Sequence, residues 1–517
     1  MPMIRLLKVA ICFLCLTWLV SSPAVGQNTQ ADVKHDTSQA LRDIPPVSPE
    51  AKALGAIRRE HIVKKLPPLP SRPQALRAPP DPVLQQSAPQ PLKAAPATTF
   101  EGIGQGNYRI SSDPPDTNGA AGTTQYVEWV NTAFAVFDKT TGKMVLGPLD
   151  GTVLWHGFGG HCEQFNDGDP IVQYDKAANR WVMTQFAVSG GTPFSQCIAV
   201  STTPDATGPY ARYEFQFADF NDYPKFGVWP DGYYASFNMF RGDAFLGAKA
   251  CVFERAKMLT GEAARMQCFD ANNMGGLLPA DVDGTMAPPG GAPNYFVNFG
   301  RDQLNLWKLH VDWTNQANST FTGPTAIPTA PFEVACDDCI PQPRVSQTLQ
   351  SLSDRLMYRL AYRRWPDHES LVVNHTVTAG GRVGVRWYEL RNLQGTPKIQ
   401  QQGTFAPDGL FRWMGSIAMD KVGNMAMGYS VSSRQVSPSI RYTGRSVSDP
   451  PNQMAAEQKL ITGKGAQQSP DRWGDYSSIS VDPTDDCTFW FTTQYLGGSG
   501  SFNWHTAIAR IKFPNCQ

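Results

Sequence analysis

Side chains able to hold an anion or move a proton recur in one kind of place along this chain. Six short polar loops carry them: Ser112-Asp-Pro-Pro-Asp-Thr-Asn118, Glu163-Gln-Phe-Asn-Asp-Gly-Asp169, Phe220-Asn-Asp-Tyr-Pro224, Ser353-Asp-Arg355, Phe411-Arg-Trp413 and Asp471-Arg-Trp-Gly-Asp-Tyr476. Arg355, Arg412 and Arg472 fall at comparable positions of the last three loops, and guanidinium groups aimed at one point bind a carboxylate bidentately. Trp413 and Trp473 directly follow two of these arginines and could stack on a sugar face. Asp222-Tyr223 and Asp475-Tyr476 set a phenol beside a carboxyl, a pairing suited to proton transfer. Asp116 and Glu163 add carboxylates on the other side of the set. Asp167 and Asp169 lie in an oxygen-rich loop that could hold Ca2+, an ion that takes six to eight oxygens. His375, at the end of a strand-like run, is a further candidate base. A single Asp in a tight turn usually caps that turn. The collection has meaning for function only if the chain gathers the loops around one concavity.

A repeat supplies the elements that would gather them. Its unit is a strand, a turn with Asp or Gly, and a second aromatic-rich strand. Ile171–Asp175 leads into Arg180–Phe186, Phe226–Asp231 into Tyr233–Asn238, Met357–Tyr362 into Ser370–His375, Gly415–Asp420 into Asn424–Tyr429, and Ser478–Asp482 into Cys487–Thr492. Weaker copies fall at Gln125–Asp138 and Asn294–Asp312. Units recur every 50 to 70 residues or so, room for four strands each, and radially repeated four-stranded sheets make a β-propeller. The expected fold is all-β, a seven-bladed propeller over residues 107–516, with six or eight blades as alternatives. In such a fold the six polar loops line one face of the central channel. The turns after the first strands, including Asp367-His368-Glu369, fall on the opposite face.

The chain of 517 residues has 45 Lys+Arg and 45 Asp+Glu, a neutral balance without the basic face that nucleic acid needs. Arg5 and Lys8, the apolar run Val9–Val20 and the small residues Ser21, Ser22, Ala24 and Gly26 have the order of a secretory signal peptide over 1–26. No other stretch is apolar enough to span a bilayer. Residues 27–98 are rich in Pro, Ala and Gln and read as a disordered linker. Of ten cysteines, Cys12 and Cys15 leave with the signal. The remaining eight form neighbouring pairs: Cys162 with Cys197, Cys251 with Cys268, Cys336 with Cys339, and Cys487 with Cys516. This is the simplest of 105 connectivities. A secreted or periplasmic monomer with disulfides is the expected state.

The hairpin ending in Asp-x-x-Gly/Asn-x-aromatic resembles the repeats of sialidase-like (BNR/Asp-box) propellers, and Arg355, Arg412 and Arg472 resemble the arginine triad with which sialidases hold a sialic-acid carboxylate. No clean Ser-x-Asp-x-Gly-x-Thr-Trp box is present, and the Tyr/Glu nucleophile pair has no counterpart. Segments such as Asp222-Tyr-Pro-Lys-Phe-Gly-Val-Trp-Pro-Asp-Gly232 and Arg472-Trp-Gly-Asp-Tyr476 are similar to those of exported bacterial proteins of unassigned function. The resemblance implies an envelope location. Together the readings point to a glycan or other small extracellular ligand, handled by a hydrolase or lyase for carboxylated sugars. A non-catalytic binding or adhesion propeller, or a structural scaffold, is the alternative.

Overall fold

The computed structural model describes residues 26–45, 59–60, 64–69 and 80–517. The expected signal peptide lies outside the described residues, apart from Gly26.

The chain is all-β and is built from successive antiparallel meanders. Their first strands are Asn118–Ala121, Gly168–Asp175, Phe220–Trp229, Leu278–Asp283, Leu356–Arg364, Phe411–Met419 and Ser478–Val481. Each of the first six is followed by three more strands of its own meander. The fourth and fifth meanders fuse into one sheet, because Leu278–Asp283 and Leu356–Arg364 pair in parallel with Ala280 opposite Leu360. Each first strand packs beside the next, and the seventh returns to the first. The sheets therefore stand around a common axis, with large apolar side chains such as Trp129, Trp181, Trp229, Trp387 and Trp490 buried in the core.

Alternation of aromatic and small residues makes the hairpins legible, and five pair in the expected register, for example Phe226 with Ala235 and Ala361 with Val372. The two weaker copies differ. Gln125–Val130 with Ala133–Asp138, and Asn294–Gly300 with Gln303–His310, are second-and-third-strand hairpins. The first strands there are short, and Asn118–Ala121 and Leu278–Asp283 contain no aromatic residue to mark them.

Described parts of the segment expected to be a disordered linker are paired. Gln27–Ala31 adds to Arg265–Ala271, Lys34–Thr37 to Tyr210–Phe217, and Leu84–Gln85 in parallel to Lys398–Phe405. Thr98–Glu101 supplies the outermost strand of the seventh meander by pairing with Trp504–Ile511, so the sheet domain starts before residue 107. The physical reason is edge pairing. An outer strand offers unpaired N–H and C=O groups, and a segment that satisfies them need not bury a core of its own. Phe100 nonetheless packs on Phe137 and Trp490.

All four neighbouring cysteine pairs are bridged. Cys162 is joined to Cys197, which fastens the short helix Gly160–Gln164 to the third strand of the second meander, Phe194–Ser201. Cys251 is joined to Cys268 directly across two paired strands of the third meander. Cys336 is joined to Cys339 and closes a small loop, and Cys487 is joined to Cys516, which ties the chain end to the last meander.

Candidate functional site

The loops leading into the first strands meet at the axis because several of those strands begin with a bulge. Their pairing shifts register between Gly168 and Ile171, Asp222 and Lys225, and Trp413 and Ser416. At the same places Asp169, Tyr223 and Met414 adopt φ between +45° and +55°, as does Asp116 in the loop before Asn118–Ala121. A non-glycine residue in that region is strained, and a bulge re-aims the side chains around it. Here they turn toward the axis.

Lys225 lies at the centre, with no solvent exposure. Its Nζ sits 3.0 Å from the ring centroid of Tyr223 and 3.4 Å from that of Tyr476. The two phenols cross the axis reciprocally. Tyr223 donates to the Asp475 carbonyl at 3.2 Å, and Tyr476 donates to the Pro224 carbonyl at 3.0 Å and to Asp169 Oδ2 at 3.2 Å. Asp116 accepts from the Asp475 N–H at 2.6 Å and from Asn131 Nδ2 at 2.8 Å. Arg472 Nη2 donates to Asp475 Oδ1 at 2.7 Å, and Nη1 to Gln350 at 2.9 Å. Arg355 forks onto Asp354 at 2.6 and 2.9 Å, lies 4.5 Å from the Tyr223 ring, and has no hydrogen-bond partner for Nη1 among the described residues.

Burial sets the protonation. It pushes Asp222 up to about 7 against the pull of Arg355, and Asp116, aided by Asp475, up to about 7. Asp169 is pushed well above the usual carboxylate range by burial and then by Asp116. Lys225 is driven well below the usual lysine value by burial, although Asp169 and Asp475 oppose the fall. Carboxyls poised near neutrality beside a guanidinium are suited to acid–base chemistry on an anionic substrate. The channel beyond is filled by a second charged layer, in which Arg359 bonds Asp281 and Asp283 at 2.7 Å each and Lys176 bonds Asp283 at 2.5 Å.

Of the residues singled out from sequence, Asp222, Tyr223, Asp475, Tyr476, Arg355 and Arg472 come together, Asp169 joins them through Tyr476, and Asp116 joins them through the Asp475 N–H. The others do not. Arg412 is turned outward within the sixth meander, where Glu457 takes both ends of its guanidinium at 2.9 Å and Asp408 lies at 2.8 Å, so the three arginines do not converge. Trp413 and Trp473 are fully buried, 5.6 Å apart, and cannot stack on a ligand. His375 is packed among Phe299, Phe332 and Tyr388, accepts or donates at 3.0 Å to the Tyr388 hydroxyl, and is held neutral by burial. Glu163 receives the Gly157 and Gly159 N–H groups and closes its own turn. Asp167 does the same for Val188 and Ser189, and so does not share a site with Asp169. Among the described residues no group of three or more His, Cys, Asp or Glu is placed to hold a metal ion. The eight cysteines Cys162, Cys197, Cys251, Cys268, Cys336, Cys339, Cys487 and Cys516 are all spent in bridges and bring no thiol to the site. Sequence reasoning missed Lys225 as a site residue. The signal was present: a lone charge that interrupts the apolar first strand two residues after an Asp-Tyr pair.

Two features bound the site. Residues Lys64–Leu69 of the arm lie over the Arg355 end, where Arg355 Nη2 donates to the Lys64 carbonyl at 3.3 Å and the Leu66 N–H donates to Asp354 at 3.4 Å. At the other end of the first strands, a cavity of about 190 Å³ is lined by Asp175, Lys176, Trp229, Arg255, Val282 and Pro288, among others. Its charges are spent internally, with Arg255 forked onto Asp175 at 2.6 and 3.0 Å.

No family model matches the chain, so the likeness to sialidase repeats finds no support at that level. No curated protein matches either. Among solved structures, the chain is similar to a protein of unknown function from Dyadobacter fermentans, at 11% identity and TM-score 0.35 over 81% of this chain and 99% of that one. It is similar to the α-L-arabinofuranosidase Arb93A of Fusarium graminearum, at 9% identity and TM-score 0.35 over 81% and 98%. It is also similar to the N-terminal domain of Nup159, at 7% identity and TM-score 0.36 over 83% and 99%. Identities this low transfer no activity.

Proposed function

We propose that the chain is an exported seven-bladed β-propeller that cleaves a carboxylate-bearing glycan at the axial cluster, on the face where the innermost strands begin. Four disulfides fit an oxidising compartment. Among the described residues no helix is long and apolar enough to cross a membrane. The reading is carried by one observation: Asp116, Asp169, Asp222, Lys225, Arg355, Arg472 and Asp475, from loops far apart in sequence, share one buried cluster with two carboxyls held at about 7.

The roles follow from the partners. Arg355 Nη1, without a partner among the described residues, takes the sugar carboxylate. Asp222, held at about 7, is protonated in part of the molecules at neutral pH and gives that proton to the glycosidic oxygen as the bond breaks. Asp475, ion-paired with Arg472, takes a proton from the attacking water in a hydrolase, or from the carbon next to the carboxylate in a lyase. Tyr223 and Tyr476 fix the geometry through their bonds across the axis.

The test is product formation, followed by mass spectrometry, from oligogalacturonate and sialyllactose. Asp222→Asn is expected to lower the rate by a factor of about 100 or more, the usual worth of a general acid. Arg355→Ala is expected to abolish binding of the carboxylated sugar. Equal rates in Asp222→Asn and the unchanged protein would sink the reading. So would the absence of product even after residues 64–69 are displaced.

The cavity at the other end of the strands favours a second reading, a non-catalytic propeller that holds an uncharged ligand against Trp229. It predicts that a ligand is retained without product and that Asp222→Asn leaves binding unchanged.

A further inference from the structure

The arm crosses the candidate site in a way that a linker has no need to. Leu66 sits on a floor of two glycines. A Cβ at Gly275 would lie 2.8 Å from Leu66 Cδ2, and one at Gly276, where φ is +63°, would lie 3.4 Å from Leu66 Cδ1. Any side chain at Gly275 would therefore strike Leu66. Leu69 packs against the apolar cluster that contains Leu277 and Leu278. On the rim, Lys64 Nζ binds Asp243 at 2.6 Å and the Gly242 carbonyl at 3.3 Å, while Lys65 Nζ binds Asp337 at 3.2 Å. Between them the Lys64 carbonyl receives Arg355 Nη2, the guanidinium that the proposed function assigns to the sugar carboxylate. Pro67 and Pro68 follow at once and stiffen the segment as it leaves.

We infer that Lys64–Leu69 is an intramolecular strap that occupies the Arg355 end of the axial site and must be displaced for an anionic ligand to reach it. The strap is fixed in place but held loosely. Its two hydrogen bonds to the site are long, at 3.3 and 3.4 Å, and its lysines bind carboxylates at the solvent edge, where ion pairs contribute little. A carboxylate offers Arg355 a charged acceptor in place of a neutral carbonyl, so such a ligand competes directly with the strap. This inference rests on the reading of the axial cluster as the working site, but its test reads access to Arg355 and needs no turnover.

Phenylglyoxal modification of the full-length protein, mapped by mass spectrometry, measures that access. Leu66→Asp removes the packing on the glycine floor and sets a carboxylate near Asp354. Lys64→Glu with Lys65→Glu, confined to the surface, loosens the strap without touching the core. Each is expected to speed labelling of Arg355 about tenfold, the effect of raising a local opening equilibrium by that factor. Labelling of Arg386, buried in the fifth meander, should not change. The peptide Lys-Lys-Leu-Pro-Pro-Leu added in trans is expected to slow Arg355 labelling again. Unchanged labelling of Arg355 in both variants overturns the strap. An equal rise at Arg355 and Arg386 also overturns it, because the arm would then be a general staple.

Discussion

Lys225 has no exposure to water, yet among the described residues no carboxylate lies within salt-bridge distance of its Nζ, which rests between two tyrosine rings. Such an arrangement costs stability unless the lysine gives up its charge, and burial drives Lys225 well below the usual lysine value while it pushes Asp116, Asp169 and Asp222 toward their protonated forms. In the proposed reaction Asp222 is the acid only while protonated, so product formation should fall as pH rises through about 7, visible in the pH profile of kcat/KM. Arg412 illustrates the opposite outcome. Its type and spacing matched Arg355 and Arg472, but Glu457, brought up beside the fourth strand of its own meander, claims it. Arg412→Ala should therefore leave sugar binding intact and destabilise the fold by about 3–5 kcal/mol, the usual result of breaking a buried pair, as urea denaturation can measure. Loop residues that would end at the axis were legible in sequence through their clustering. Which arginine finds an internal partner was not, because the partner lies 45 residues away.

At the scale of elements, repetition made the hairpins legible, while edge pairing hid the arm. A strand that adds to an existing sheet through backbone hydrogen bonds leaves little pattern in its own side chains. Glu128 joins that arm to the ring. It accepts from the Ile103 N–H at 2.7 Å and meets Thr492 and Thr506 of the last meander at 2.6 and 3.0 Å. Burial raises its carboxyl from 4.5 to about 7. The folded state thus keeps this proton to higher pH than the unfolded chain. The contribution is full below about pH 4.5 and is lost as pH rises toward 7, on the order of 3 kcal/mol in all. Glu128→Gln should flatten the fall in stability between about pH 4.5 and 7, as seen in thermal melts across that range. An unchanged slope would assign the pH dependence elsewhere. Neighbouring cysteines were legible as pairs because each bridge stays within one meander or its entry loop, as Cys251 and Cys268 do on facing strands. Cys516→Ser, which opens the bridge to Cys487, should cost about 2–5 kcal/mol and release the chain end first in hydrogen exchange.

For the whole molecule, a closed ring of sheets places loops from distant parts of the sequence around one axis, and that ring produces the cluster. The repeat announced the ring. It did not announce that the mouth would be filled by its own charges and overlaid by the arm, because both depend on side chains meeting across the axis. The most direct measurement is diffraction from crystals of the Leu66→Asp protein soaked with trigalacturonate. A sugar carboxylate should lie within hydrogen-bond distance of Arg355 Nη1, with Asp222 facing a glycosidic oxygen. A trigalacturonate seated against Trp229 at the other end of the strands, with the axial cluster unchanged, would contradict the account.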